Sequence, residues 1–170
     1  GADTARSLTD IGETLRDLKR YDEALRSFQE ARKMLETVHK GDHPSVAIAL
    51  EDVADTLTWL DLREQAMRNY KLALGMLQRL HPHGDFATAR VLESIGDMHG
   101  WGRPPEHEMA YAYYTRALEM RRKLGQTDHW RVARLEDYCG DSLEVLNKYD
   151  EALKRHMTAL DLRLAAYTDG

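Results

Sequence analysis

Residues 54–73 read ADTLTWLDLREQAMRNYKLA, and the small residues in this stretch decide the fold. Ala54 precedes Ala66 by twelve residues, Ala73 follows seven residues later, and the large ring of Tyr70 lies between the two later alanines. Small side chains let two helices approach closely, and a ring fills the space beside their contact. The spacing therefore predicts two packed helices, which we call helix A and helix B.

The same pattern recurs along the whole chain. Helix A carries its small residue at intervals of 42, 42 and 44 residues, at Gly12, Ala54, Gly96 and Gly140. The alanine pairs of helix B are Ala24 and Ala31, Ala66 and Ala73, Ala110 and Ala117, and Ala152 and Ala159. The ring between the alanines of each pair is Phe28, Tyr70, Tyr114 or His156. Four coincidences at nearly fixed spacing identify a tandem repeat of four units.

Apolar residues within the units recur at intervals of three and four, which is the spacing of one helical face. The first helix A shows this spacing at Leu8, Ile11, Leu15 and Leu18. Sustained alternation of β-branched residues, the signature of strands, does not occur. The predicted fold class is all-α, with helix hairpins over residues 4–44, 45–86, 87–130 and 131–170.

Short segments containing Gly or Pro separate the units. In each of these segments an aspartate is placed to cap the next helix A, at Asp42, Asp85 and Asp128. Pro44 fits the first helical position, where its missing N–H has no cost. Residues 100–105, GWGRPP, predict a lengthened turn between helices A and B of the third unit.

Composition and charge exclude several classes of function. The 170 residues are 42% hydrophobic and 31% charged, and the net charge of −5 argues against a general nucleic-acid binder. No run approaches the ~18 apolar residues of a membrane helix. The single cysteine, Cys139, excludes an internal disulfide framework and suits a reducing compartment. We therefore expect a cytoplasmic protein with neither nucleic acid nor membrane as its partner.

Basic residues occupy positions of helix B that are expected to face outward. They lack interleaved aromatic residues, and acidic residues lie among them, so a solvated face is favoured over a nucleic-acid site. The basic residues in question are Arg68, Lys71, Arg79, Arg116, Arg121, Arg122, Lys123, Lys154, Arg155 and Arg163.

The eight histidines do not form a recognisable metal or catalytic motif. His81 and His83 flank Pro82 in one loop, and His39 and His43 precede Pro44 in another. Neither pair has the helical (i, i+4) placement with a carboxylate that is typical of zinc sites. His156 takes the place of the ring in the fourth unit and is expected to pack there. Phosphate-binding loops and nucleophile motifs do not occur. We expect no catalytic residue, no metal, no cofactor and no enzymatic activity.

The frame of a small residue, eleven residues, Ala, three residues, an aromatic residue, two residues and Ala resembles that of tetratricopeptide repeats over essentially the whole chain. The stretch Gly41-Asp42-His43-Pro44-Ser45-Val46-Ala47 resembles the phrase between the long repeats of the kinesin-light-chain subfamily. HEAT and armadillo repeats have a similar period but do not require this frame. The resemblance implies a right-handed superhelical α-solenoid in which A helices line a concave groove. It also implies that the protein is an interaction scaffold that binds a peptide or another protein.

Two recognition patterns that the resemblance would bring are not matched. The asparagine that kinesin-light-chain repeats commonly use to contact peptides is replaced by Thr9, Glu51, Glu93 and Asp137. The Lys/Asn/Arg clamp that co-chaperone repeats use for C-terminal carboxylates is also unmatched. Recognition of acidic cargo peptides or of chaperone tails is therefore not expected.

An acidic residue follows the small residue of helix A in all four units, at Glu13, Asp55, Asp97 and Asp141. Three more acids lie four residues earlier, at Glu51, Glu93 and Asp137. Arg90 and Arg134 lie at one edge of this acidic row and partly offset its charge. On the tetratricopeptide frame these positions face the groove. We expect an acidic groove that binds a basic peptide, with Trp59 as an apolar anchor. The alternative interpretation is a solvated face whose acids are satisfied locally by the arginines.

Two further interpretations stay open. The first is a regulatory or sensor array within a larger effector of the ATPase or protease type. The second concerns the last helix B, whose apolar residues recur at intervals of three and four without a polar capping helix after them. They are Leu153, Met157, Leu160 and Leu164. We therefore expect a truncated array whose last repeat either packs end to end on a neighbouring molecule or frays.

Overall fold

The computed structural model describes residues 1–125 and 129–168, and the regular structure of these residues is entirely helical. The helices are α1 Ala2–Asp17, α2 Tyr21–Val38, α3 Pro44–Trp59, α4 Arg63–Leu80, α5 Phe86–Gly100, α6 His107–Lys123, α7 His129–Val145 and α8 Tyr149–Thr168. They alternate as helix A and helix B, which confirms the predicted all-α class of helix-hairpin repeats. Within the described ranges, no helix combines the length and apolar character needed to cross a membrane.

The chain divides into two compact units, Gly1–His83 and Gly84–Gly170. In the first unit α1 packs on α2, α2 on α3, and α3 on α4. In the second unit α5 packs on α6, α6 on α7, and α7 on α8. Each unit therefore contains two hairpins, with helix B of the first hairpin packed against helix A of the second.

The predicted frame forms the core of each hairpin. A β-carbon added to Gly12 would lie 2.7 Å from Cε1 of Phe28, and one added to Gly140 would lie 2.6 Å from Cε1 of His156. These distances are too short for real contacts, so the ring rests directly on the backbone of helix A. The eight alanines of helix B are all buried. The spacing read from the sequence thus describes a close helix crossing.

Three of the turns between helices A and B share one backbone geometry. Each turn has three residues, and its middle residue adopts the left-handed conformation, with φ values of 58°, 57° and 61° at Lys19, Asp61 and Asn147. The following amide then donates to the carbonyl five residues back, as Arg20 N does to Leu15 O at 2.8 Å. This six-to-one hydrogen bond is the Schellman closure of a helix C-terminus.

The turn of the third hairpin is longer, as its sequence predicts. Helix α5 ends at Gly100 and α6 begins at His107, which leaves six residues between the helices. The amide of Glu106 closes this turn by donating to the carbonyl of His99 at 2.9 Å. Trp101 lies just beyond the helix, and 68% of its surface is exposed.

The helix caps follow the sequence prediction only in part. Asp85 caps α5, because its Oδ1 accepts from the amide of Thr88 at 2.7 Å. The prediction for Asp42 was wrong: Nδ1 of His43 accepts from the amide of Ser45 at the start of α3. Asp42 instead accepts from Nε of Arg79 at 2.6 Å. The predicted cap at Asp128 lies outside the described residues.

Candidate functional site

The predicted groove residues of the first unit differ in their accessibility. Glu13 is exposed, Asp55 is half-buried and Trp59 is exposed over 65% of its surface. Glu51, in contrast, has only 5% of its surface exposed. Three of the four predicted residues of this unit can therefore be reached by a partner, whereas Glu51 is buried.

In the second and third hairpins, the acid that follows the small residue of helix A accepts a hydrogen bond from the tyrosine of helix B. The hydroxyl of Tyr70 donates to Oδ1 of Asp55 at 2.5 Å, and that of Tyr114 donates to Oδ1 of Asp97 at 2.7 Å. Burial, followed by the charge of Asp97, raises the pKa of Tyr114, so the hydroxyl stays a donor. Sequence reasoning missed these bonds, although the pairing of tyrosine with aspartate in the same two units was visible.

Asp52 lies among other acids at the contact between α1 and α3. Its pKa is raised to about 7, chiefly because burial disfavours the charged carboxylate. Arg16 opposes this shift from 4.0 Å, whereas the negative charges of Asp55, Glu51 and Glu13 add to it. The carboxyl group therefore titrates near neutral pH, and a positive charge close to it would favour its ionised form.

An apolar surface lies at the C-terminal end of α3. The indole of Trp59 stacks on the ring of Tyr21 with a centroid distance of 5.6 Å and an interplanar angle of 2°. The stack fixes the orientation of the exposed indole. It therefore presents a rigid aromatic face, the kind of surface that anchors many protein interfaces.

An open cavity of about 310 Å³ lies between the first parts of α1 and α3. Arg6, Thr9 and Asp10 line it from α1, and Ile48 and Asp52 line it from α3. Its rim includes His39 and His43, whose rings stack with centroids 3.5 Å apart. Asp52 lines this cavity, which is large enough for an extended side chain of a partner to enter.

The predicted acids of the second unit are engaged by arginines and by a histidine. Glu93 has 5% of its surface exposed and accepts from Nη2 of Arg121 at 3.1 Å and from Arg134. Asp137 accepts from Arg163 and lies 3.1 Å from Nδ1 of His156. The expected outward position of Arg121 was wrong, because this side chain is buried on Glu93.

Arginines and rings cover the rest of this face. The guanidinium of Arg134 lies over the rings of Trp130 and Tyr138, at 5.2 and 5.8 Å from their centroids. Arg90 and Asp141 are exposed. A smaller cavity of about 130 Å³ is lined by Gly100 at the end of α5, by Trp101 of the lengthened turn, and by residues of α6 and α7. The face of α5 and α7 is thus largely an internal network of ion pairs.

A buried acid that sequence reasoning missed lies in the fourth hairpin. Glu136 is fully buried, accepts from Nη1 of Arg155 at 3.0 Å, and pairs with Arg122. The first three hairpins have leucine at this position, at Leu8, Leu50 and Leu92. The signal was therefore present as a break in the repeat pattern.

Cys139 has the environment of a structural residue. Burial raises the pKa of its thiol to about 11, and the hydroxyl of Thr115 lies 3.9 Å from the sulfur. A thiol with a raised pKa carries little thiolate, which is the nucleophilic form.

Comparisons with known proteins agree with this geometry. Residues 3–79, which span α1 to α4, match the family model of the tetratricopeptide repeat. No curated protein matches the sequence. The structure of BtubC (BKLC) from P. vanneervenii is similar, with a TM-score of 0.89 and 20% identity over 98% of this chain and 66% of that chain.

Two other solved structures share the fold. Nearly identical TPR-like repeats described as a Podosopora anserina kinesin light chain superpose with a TM-score of 0.83 and 8% identity, covering 97% of this chain and 77% of that one. Aspartyl phosphate phosphatase F from Bacillus subtilis gives a TM-score of 0.84 and 16% identity, covering 97% of this chain and 41% of that one. The predicted resemblance to tetratricopeptide repeat proteins, kinesin-light-chain-like repeats among them, is confirmed. The chain spans just under two thirds of BtubC, so similarity to that structure concerns the fold.

Proposed function

We propose that this protein is an interaction scaffold whose first unit binds a basic segment of a protein partner on the exposed face of α1 and α3. The observation that carries the proposal is the group of acids Glu13, Glu51, Asp52 and Asp55: burial first, and then the charges of the other three acids, raise the pKa of Asp52 to about 7. Like charges held together at a surface are stabilised by an added cation. An arginine or lysine of a partner supplies that cation.

Trp59 and the cavity give the surface its shape. The indole, held by Tyr21, offers apolar contact area at one end of α3, and the cavity beside Arg6 and Asp10 offers a recess near the other end. A basic segment with an apolar residue would use both features. Charge would then set the rate and specificity of association, and the indole would supply contact area.

The test uses an isosteric double variant, Glu13→Gln with Asp55→Asn, titrated with an Arg/Lys-rich peptide by fluorescence anisotropy. The asparagine keeps an acceptor for the hydroxyl of Tyr70, so the hairpin contact survives. We expect affinity to fall roughly fivefold at low salt, since exposed ion pairs contribute about 0.2–1 kcal/mol each. The salt dependence should also become shallower.

The matched control is Glu30→Gln with Glu64→Gln, which removes the same charge from exposed positions of α2 and α4 in the same unit. Its binding should equal that of the parent. Parent affinity should also rise as the pH increases through 7, because Asp52 then becomes charged. Equal affinity and equal salt dependence in both double variants, with both proteins folded, would contradict the proposed surface.

The alternative function is that of a regulatory or sensor array in a larger effector of the ATPase or protease type. It is supported by coverage: the chain spans 41% of the phosphatase structure, whose chain extends well beyond the shared repeats. In that case the acidic face of the first unit would hold a basic segment of the same polypeptide. Sequencing the gene on both sides of this region distinguishes the two functions.

End-to-end association through α8 is a second proposed interaction. In α6, Thr115 contacts Cys139 and Arg122 pairs with Glu136, so this stripe packs on α7. The residues 42 positions later, Met157 and Leu164, are 56% and 54% exposed. Sedimentation should show a mass that increases with concentration, and Met157→Glu should restore the monomer. A parent that stays monomeric at all concentrations would contradict this interaction.

A non-catalytic role in the cytoplasm completes the proposal. The buried thiol of Cys139, with its raised pKa, is unsuited to nucleophilic attack. A chain with one cysteine also has no need of an oxidising compartment.

A further inference from the structure

We propose that Asp141, Glu144 and His156 form a binding site for zinc or a similar first-row divalent cation. Asp141 and Glu144 lie one turn apart on α7, and His156 faces them from α8. One ligand atom from each residue falls within 4.8 Å of the others. Nε2 of His156 lies 3.8 Å from Oδ1 of Asp141 and 3.6 Å from Oε1 of Glu144.

The imidazole is held in one orientation. Its ring rests on Gly140, where an added β-carbon would lie 2.6 Å from both Cε1 and Nε2. Its Nδ1 lies 3.1 Å from Oδ1 of Asp137, whose other oxygen accepts from Arg163. A carboxylate behind the distal ring nitrogen is the usual support of a metal-binding histidine, because it fixes the tautomer and strengthens the ligand.

This tautomer leaves three acceptors facing one another. When Nδ1–H donates to Asp137, Nε2 carries a lone pair, and it points toward two carboxylates that also only accept hydrogen bonds. Such an arrangement is repulsive unless a proton or a metal cation lies between the three atoms. A cation satisfies all three ligands at once, and Nε2 distinguishes the site from a simple acidic surface.

The combination is specific to the fourth hairpin. The other rings are Phe28, Tyr70 and Tyr114, and two of them donate a hydroxyl to the acid that follows the small residue. The position of Glu144 is occupied by Arg16, Thr58 and Gly100 in the first three hairpins. Of the four hairpins, only the fourth therefore places a histidine opposite two acids. His156 packs on helix A, as expected, and also serves as a ligand in this proposal.

One imidazole and two carboxylates suit zinc better than calcium or magnesium, which prefer oxygen ligands alone. Ligand atoms on a tetrahedral zinc lie about 3.3 Å apart, given metal–ligand distances of about 2.0–2.2 Å. Asp141 and Glu144 have side chains that are 67% and 56% exposed, so small rotations bring their oxygens inward without disturbing the core. The fourth position would be open to water or to a partner's side chain.

The experiment is a calorimetric titration of the chelator-treated full chain with ZnCl2, repeated with CaCl2. The decisive variant is His156→Tyr, which restores the ring of the second and third hairpins and so keeps a residue that this frame already accepts. His83→Tyr, at an exposed loop position, is the matched control. We expect one zinc per chain in the parent and in the control, at least tenfold weaker binding in His156→Tyr, and no comparable binding of calcium.

Two milder variants keep the test informative if His156→Tyr does not fold. Glu144→Gln removes the charge of one ligand at an exposed position, and Asp137→Asn removes the negative charge behind Nδ1 while keeping an acceptor for its hydrogen. Both are expected to weaken zinc binding about tenfold. Zinc should also shift the Nε2 resonance of His156 in nitrogen-15 spectra. Identical zinc isotherms for the parent and all three variants, or equal binding of calcium and zinc, would overturn the site.

Discussion

Replacing Gly96 with leucine is expected to lower the free energy of unfolding by about 3 kcal/mol, the upper part of the range for overpacked cores. A β-carbon at this position would lie 2.6 and 2.7 Å from Cε1 and Cδ1 of Tyr114. The ring cannot retreat without losing its 2.7 Å hydrogen bond to Asp97. Urea denaturation followed by circular dichroism measures the change.

Gly96→Ala provides the matched comparison. The second hairpin already carries Ala54 at this position, fully buried, so the frame accommodates one methyl group after a small shift of the helices. The gain in helix propensity, up to about 1 kcal/mol, offsets part of the clash. We expect a net loss below about 1 kcal/mol. A leucine variant as stable as the parent would show that the ring does not rest on helix α5.

Replacing Glu136 with alanine is expected to lower the free energy of unfolding by about 3 kcal/mol, because it breaks a buried ion pair from one side. The carboxylate is fully buried, and Arg155 beside it is 25% exposed. Removal leaves this guanidinium partly desolvated without its partner and leaves a cavity in the core. The partial exposure of Arg155 and Arg122 keeps the loss near the lower end of the usual range.

Glu136→Leu separates charge from packing. Leucine is the residue of the other three units here, at Leu8, Leu50 and Leu92, and it fills the space that alanine leaves empty. We expect a loss of about 1 kcal/mol, since the arginines can turn toward solvent. Thermal melts of the two variants beside the parent decide the matter. If leucine were as damaging as alanine, the ion pair rather than the packing would hold this corner of the fold.

The repeat frame could be predicted because it depends on size alone. Gly12, Gly96 and Gly140 leave room for a ring, and the spacing of small and large residues along the chain records this steric fit. The longer turn of the third hairpin was also predictable, since the GWGRPP segment departs visibly from the other repeats. These features follow from local sequence and helical geometry.

The electrostatics could not be predicted in the same way. Glu93 was expected on an open groove, but it is buried between Arg121, 28 residues away, and Arg134, 41 residues away. Sequence shows which residues are charged but not which pairs meet across hairpins. Asp42 illustrates the point at short range: it had the right type to cap α3, yet Arg79 engages it and His43 caps the helix.

Because main-chain bonds close the turn between its two helices, each hairpin is a self-contained module, which we call a cassette. The closing bonds at Arg20, Leu62 and Lys148 join main-chain atoms, so they persist with any side chains that tolerate the left-handed residue in the middle of the turn. Copies of such a cassette can be duplicated, deleted or reordered without altering the way that each one ends. The third hairpin, with six residues between its helices, is the copy that differs from the others in the length of the joint as well as in its sequence.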